Sequence, residues 1–150
     1  ARGLGKSMAL KLASCGATVA IVDIDASGCE SVAEAVRAAG GRASALPADV
    51  ASRSALLDAA GRFASQQGRI DAVVNNAMLL RYEPVESVTE ETLNRMVSIG
   101  INGTMWGTQA LLAHYDAARG GAIINMASPV AEKGFPNTSA YSLVKGAIVT

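Results

Sequence analysis

The sequence is short of the residues that mark several specialised classes. It has two cysteines and one histidine, too few for a disulfide framework or a metal-ligand cluster. Cys15, Cys29 and His114 are therefore expected to hold no metal, and the two thiols to be free in a reducing cytoplasm. Neither sign of charge dominates: 13 basic side chains balance 13 acidic ones. That balance offers no basic surface for nucleic acid or an anionic membrane. No apolar run approaches the ~20 residues needed to cross a bilayer, and no signal peptide is visible. An initiator methionine is also missing. The chain opens on ARGLGKS and stops at AIVT inside a helical pattern, so an interior piece of a longer protein is expected.

What is present is apolar material. Half of the 150 residues are hydrophobic and 17% are charged, values that describe one soluble globular domain with a real core over residues 1–150. Helix and strand patterns alternate. A helical pattern over Lys6 to Ala13 closes at Gly16, and Thr18 to Val22 reads as a buried parallel strand. A helix from about Gly28 to Ala39 ends at Gly40 and Gly41. A strand follows near Arg42 to Leu46, then a helix from about Arg53 to Gln66 and a strand over Ile70 to Val74. Thr89 offers an N-cap with Glu90 and Glu91 in the first turn, opening a long helix in which apolar positions recur from Leu93 to about Ala117. Gly120 and Gly121 break it before the strand Ala122 to Met126, and the chain is helical again from about Ser139. This order predicts an α/β fold, a Rossmann-like doubly wound parallel sheet with helices on both faces.

The chemistry begins with Tyr141 and Lys145. Their i,i+4 spacing puts phenol and ammonium on one helix face, thirteen residues after Ser128. A free phenol has a pKa of about 10, so proton exchange near neutrality needs roughly 3–4 kcal/mol of bias toward the phenolate. An ammonium ~4 Å away contributes about 4 kcal/mol at an effective dielectric of ~20. The same spacing also arises by coincidence, with the ring packed and the lysine solvated. The rest of the chain favours the chemical reading.

At the front, Gly3-Leu4-Gly5 opens the first helix, where glycines let a pyrophosphate approach backbone N–H groups at the positive end of the helix dipole. Glycine pairs begin many helices, so the motif is weak alone. Asp23 strengthens it. It closes the next strand near the ~20-residue offset at which a carboxylate meets the adenosine ribose hydroxyls. A carboxylate there repels a 2′-phosphate, and Asp25 adds to that bias, which favours NAD over NADP. Arg2 pulls the other way, because a guanidinium can pair with a 2′-phosphate.

Taken jointly, these residues resemble the short-chain dehydrogenase/reductase family over essentially the whole chain. Gly3 and Gly5 match the last two glycines of its Thr-Gly-x-x-x-Gly-x-Gly signature. Asp49-Val50 matches the Asp-Val beside the adenine, and Asn75-Asn76-Ala77 matches Asn-Asn-Ala-Gly along the cofactor. Ser128, Tyr141 and Lys145 match the catalytic serine and the Tyr-x-x-x-Lys pair. The resemblance implies hydride transfer between NAD(P) and a secondary alcohol or ketone, without a metal. Tyr141 would exchange the proton, Lys145 would lower the tyrosine's pKa and hold the nicotinamide ribose, and Ser128 would hydrogen-bond the substrate oxygen. Cofactor contacts would come from Arg2, Gly3, Leu4, Gly5, Asp23, Asp49, Val50, Asn76, Ala77, Tyr141 and Lys145. The resemblance also implies a homodimer or homotetramer, built on the long helix and the helix of Tyr141.

Three departures from the family pattern stand out. Met78 replaces the glycine of Asn-Asn-Ala-Gly, either narrowing the substrate space or packing under a loop. Gly100 stands where many members carry an asparagine that holds a relay water, and predicts room for a water in place of the amide. Asn102 is two helical steps away and should face elsewhere unless the helix is bulged. The family's first strand and its C-terminal substrate region are also unmatched, which predicts unpaired strand edges and a marginal or aggregation-prone piece. Two other functions fit the same residues: a dinucleotide-binding sensor or scaffold without turnover, and dehydratase or epimerase chemistry on the same fold. His114, Trp106 and Tyr115 are expected in helix packing or on a solvated face, and Met8, Met96, Met105 and Met126 in the core.

Overall fold

The computed structural model describes residues 1–150. Its elements follow the order α1 (Gly3–Ser14), β1 (Thr18–Ile21), α2 (Ala26–Ala38), β2 (Arg42–Ala45), α3 (Arg53–Gln67), β3 (Ala72–Asn75), α4 (Glu90–Val97), a π-helical turn (Ser98–Asn102), α5 (Gly103–Leu112), β4 (Ala122–Asn125) and α6 (Ser139–Val149). Each strand expected from the sequence is present, within two residues at either end.

Glycines hand helix to strand where the chain must turn back. Gly16 takes a left-handed φ of 92°, so that its N–H bonds the Ala13 carbonyl while the next N–H, of Ala17, bonds that of Leu12. Gly40, at φ 81°, repeats the device with Arg37, and Gly41 with Val36. In both cases carbonyls orphaned at the helix end are satisfied without a bulky side chain in a left-handed position.

The strands pair in parallel, Val19 opposite Ala43 in the β1–β2 pair and Val73 opposite Ile123 in the β3–β4 pair. Helices cover both faces of the first pair. Ile21 and Val19 point toward Ala9, Cys29, Val32 and Ala33 of α1 and α2. The alternate residues Ala20 and Val22 pack with Leu46 against Ala59 and Phe63 of α3. This period of two is what a strand buried on both faces requires. The two strand pairs do not hydrogen-bond to each other. Instead β1 and β3 line a cavity of about 620 Å³, with Val19, Ile21, Val73 and Val74 among its walls. The unpaired edges expected from the sequence are thus present.

Several details differ from the sequence expectation. The long helix ends at Leu112 rather than Ala117, because His114 to Gly120 forms turns closed by an Asp116–Gly120 bridge. It is also interrupted by the π turn between α4 and α5. Met96 is fully buried as expected, but Met105 is 55% exposed, since it lies on the face of α5 turned away from the strands. Trp106 packs under the guanidinium of Arg53, 5.7 Å from ring centre to Cζ. No helix is long and apolar enough to cross a membrane.

Candidate active site

Because all four strands run in parallel pairs, their C-terminal ends deliver Asp23, Asp49, Asn76 and Ser128 just beyond the strand ends. In open α/β sheets this is the edge at which ligands bind. The N-terminus of α1 faces the same region. Gly3 opens that helix with φ 57°, and its first turn has no side-chain cap and no acidic residue. Its first N–H groups are therefore free donors for an anion. A Cβ on Gly5 would lie 3.0 Å from Nδ2 of Asn76, so this glycine is what brings α1 against the end of β3. Leu4 is 67% exposed, and Arg2 takes extended backbone with no capping bond.

The acidic residues have separate tasks. Asp23, just beyond β1, accepts from the N–H of Asp25 at 3.0 Å. Asp25 instead caps α2, accepting from Gly28 N at 3.0 Å and Ser27 Oγ at 2.7 Å. These bonds, the Gly28 amide foremost, hold its carboxyl below the usual range. Its Oδ1 is thus committed to the helix, while Oδ2 makes no bond to α2. Asp49 accepts from Ala51 N at 2.9 Å and pairs with Arg95 of α4 at 3.1 Å. Val50 packs over Gly103, where a Cβ would sit 3.2 Å from its Cγ2.

At the other end of the site, Ser128 follows β4 in extended backbone. Its Oγ accepts from Val130 N at 3.5 Å, which leaves the O–H free to donate. The entry to α6 is set by Asn137, at φ 62°, and by the buried hydroxyl of Thr138, which donates to the Phe135 carbonyl at 2.7 Å. Tyr141 and Lys145 then stand on one face of α6. The Lys145 ammonium lies 5.7 Å from the Tyr141 ring centre and donates to the carbonyl of Met126, two residues before Ser128. Lys145 is only 3% exposed, and burial pushes its pKa down from the ordinary 10.5. The solvated lysine of the bland reading is not observed.

Asn75, by contrast, turns into the structure. Its Nδ2 donates to Asn125 Oδ1 at 2.8 Å, and its amide lies where a Cβ on Gly107 would fall.

The two internal departures are neighbours in space. A Cβ on Gly100 would meet both Val144 and Met78. The room for water expected at Gly100 is therefore filled by apolar side chains. Met78 packs with Leu93, Val97 and Ile101 around the buried Met96, Ala140 and Val144. The helix is bulged at this point, yet the Asn102 side chain makes no hydrogen bond. Nothing in the residue types announced the Val144 contact, because it depends on the π turn.

The comparisons with known proteins agree with this geometry. The family model for short chain dehydrogenases matches residues 1–150. Sorbitol dehydrogenase of Cereibacter sphaeroides is 32% identical over 100% of this chain and 58% of its own. Cyclopentanol dehydrogenase of Comamonas testosteroni is 34% identical over 99% and 59%. A short chain dehydrogenase of Burkholderia cenocepacia, solved in complex with NADP, superposes with a TM-score of 0.91 at 29% identity, over 99% of this chain and 60% of that one. The chain thus spans about three fifths of the length of these relatives. It belongs to the short-chain dehydrogenase family.

Proposed function

We propose that the whole protein is an NAD(P)-dependent oxidoreductase that interconverts a secondary alcohol and a ketone. The observation that carries this reading is the buried Lys145, tied to the Met126 carbonyl beside Ser128 and held next to the Tyr141 ring. A lysine is rarely buried without a partner or a task, and this one stands beside the tyrosine ring on the same helix face. Tyr141 takes the proton from the substrate hydroxyl in oxidation and returns it in reduction. Ser128, with a free O–H, donates to the same oxygen and stabilises the charge that develops on it.

The residues at the strand ends fit a dinucleotide. Gly3, Leu4 and Gly5 at the start of α1 hold the pyrophosphate with backbone N–H groups, and Arg2 flanks them. Asp23 accepts from the ribose hydroxyls, Asp49 and Val50 bound the adenine, and Asn76 and Ala77 flank the nicotinamide half with Tyr141 and Lys145. When bound, the nicotinamide supplies the hydride acceptor or donor. The Asp23 carboxylate, placed just beyond β1, repels a 2′-phosphate and so favours NAD over NADP. The relatives named for sorbitol and cyclopentanol support a small alcohol or ketone as substrate.

Exposed Met105 and Leu112 on α5, with Leu143 and Val149 on α6, support a homodimer or homotetramer, and the free thiols a cytoplasmic setting. The test is nicotinamide absorbance of the full-length protein at about pH 8–9, with NAD and then NADP, against a panel of secondary alcohols. Tyrosine-dependent reduction of NAD is expected. Cofactor binding without turnover would favour the sensor or scaffold, and product without absorbance change would favour dehydratase or epimerase chemistry.

A further inference from the structure

The π turn at Ser98–Asn102 has Gly100, a buried residue, at its centre. A Cβ built there would lie 2.3 Å from Cγ1 of Val144, 2.9 Å from Sδ of Met78 and 3.5 Å from Cε of Met78. Non-bonded carbons settle at about 3.5–4.0 Å. The helix surface therefore has a notch only as deep as a glycine, with the Val144 methyl seated in it and the Met78 thioether closing its side. Val144 is fully buried, and Tyr141 packs against the same cluster.

The two neighbours differ in how they could yield. Met78 ends in a flexible thioether that can swing aside. Val144 is β-branched and confined to one strongly preferred rotamer in a helix, so any intrusion at residue 100 has to displace the backbone of α6. That helix carries Lys145 as the next residue and Tyr141 three residues earlier.

The geometry points to Gly100 and Val144 as a positioning pair: the glycine notch sets the depth at which α6 lies against the π turn, and with it the placement of Tyr141 and Lys145. This rests on the reading of Tyr141 and Lys145 as the proton-transfer pair. Neither Gly100 nor Val144 touches substrate or cofactor in this role. The cost of losing the fit falls on the chemical step, because the adenosine end of the site lies on β1, β2 and α1.

The experiment is a rescue cycle on the full-length enzyme, read as kcat and as KM for NAD. Gly100→Ala has to push α6 outward by about 1 Å to restore an ordinary carbon contact. A displacement of that size is expected to lower kcat on the order of 10²-fold with KM for NAD changed little. Adding Val144→Ala removes the obstructing methyl and is expected to recover most of the lost kcat. Urea midpoints are read alongside, because a merely structural defect would lower the midpoint and leave the kcat of the folded enzyme unchanged.

A folded Gly100→Ala enzyme as fast as the parent would overturn the inference, and so would a folded double variant as slow as the single one. If Gly100→Ala alone does not fold, the double variant decides. A folded, active double supports the pair; one that is slow or unfolded overturns it, since Val144 is then not the obstruction. A parent without Tyr141-dependent turnover would instead overturn the oxidoreductase reading, and the positioning role with it.

Discussion

The Lys145 ammonium donates to the backbone carbonyl of Met126, and this single bond ties the middle of α6 to the chain leaving β4. It joins the two segments that carry Tyr141 and Ser128. The bond is local in space and remote in sequence, nineteen residues apart.

Removing the tyrosine hydroxyl tests the proton step. Tyr141→Phe keeps the ring, which packs beside the buried Met96, Ala140 and Val144, so the fold should survive. General acid–base catalysis contributes about 10²–10⁴-fold, and a loss of kcat in that range is expected, with NAD binding retained. Steady-state nicotinamide absorbance and a binding titration on the same sample check it.

Lys145 should leave a signature in the pH dependence of stability. Its folded-state pKa lies below 10.5 because burial disfavours the charged form. Between the folded value and 10.5 the unfolded chain binds more protons than the native one, so this group's contribution to stability rises with pH across that window. Urea midpoints of the parent and of Lys145→Met, compared from pH 7 to pH 10, should converge or cross in the parent's favour as pH rises. A gap that stays constant with pH would refute the assignment.

Cys29 works in the opposite direction. Burial first, and then the nearby Asp23 charge, push its thiol above the ordinary 9.0. The unfolded thiol ionises at 9.0 while the folded one stays neutral, so stability present below pH 9 is lost as pH climbs past it. Cys29→Ala should flatten that alkaline decline in urea titrations. A thiol reagent should label the exposed Cys15 in the native protein and reach Cys29 only after unfolding, as read by peptide mass mapping.

Cofactor choice tests Asp23. Hydrogen bonds to a charged group are worth roughly 1.5–3 kcal/mol, so Asp23→Ala should raise KM for NAD by about ten- to a hundredfold. KM for NADP should rise less or fall. Asp25→Ala should leave the NAD-to-NADP ratio unchanged and lower the melting temperature, because that carboxylate caps α2. Equal effects of the two substitutions on cofactor preference would contradict the division of labour between them.

Much of this protein is local and so is readable along the chain. The strands at residues 18–21, 72–75 and 122–125 are short, mainly apolar runs, and the one at 42–45 alternates polar residues with alanine. Their periodicity and the Gly16 and Gly40 stops depend only on neighbours in sequence. The same holds for Thr89, whose hydroxyl accepts from Thr92 N at 3.1 Å, and for the shared face of Tyr141 and Lys145, which follows from helix geometry alone. Helix limits were less legible where turns compete, as beyond Leu112.

What only the tertiary structure decided involves contacts between distant segments. Asp25 reads only as a second acidic residue near the ribose until its Oδ1 is seen to cap α2. Gly100 reads as space until Val144 and Met78, from two other elements, are seen to fill it. The π turn at Ser98–Asn102 sets Gly100 against both of them. The sequence by itself determined which chemical groups exist and the face each element presents. The fold decided which groups are free to act, because a side chain's availability depends on every neighbour that already binds it.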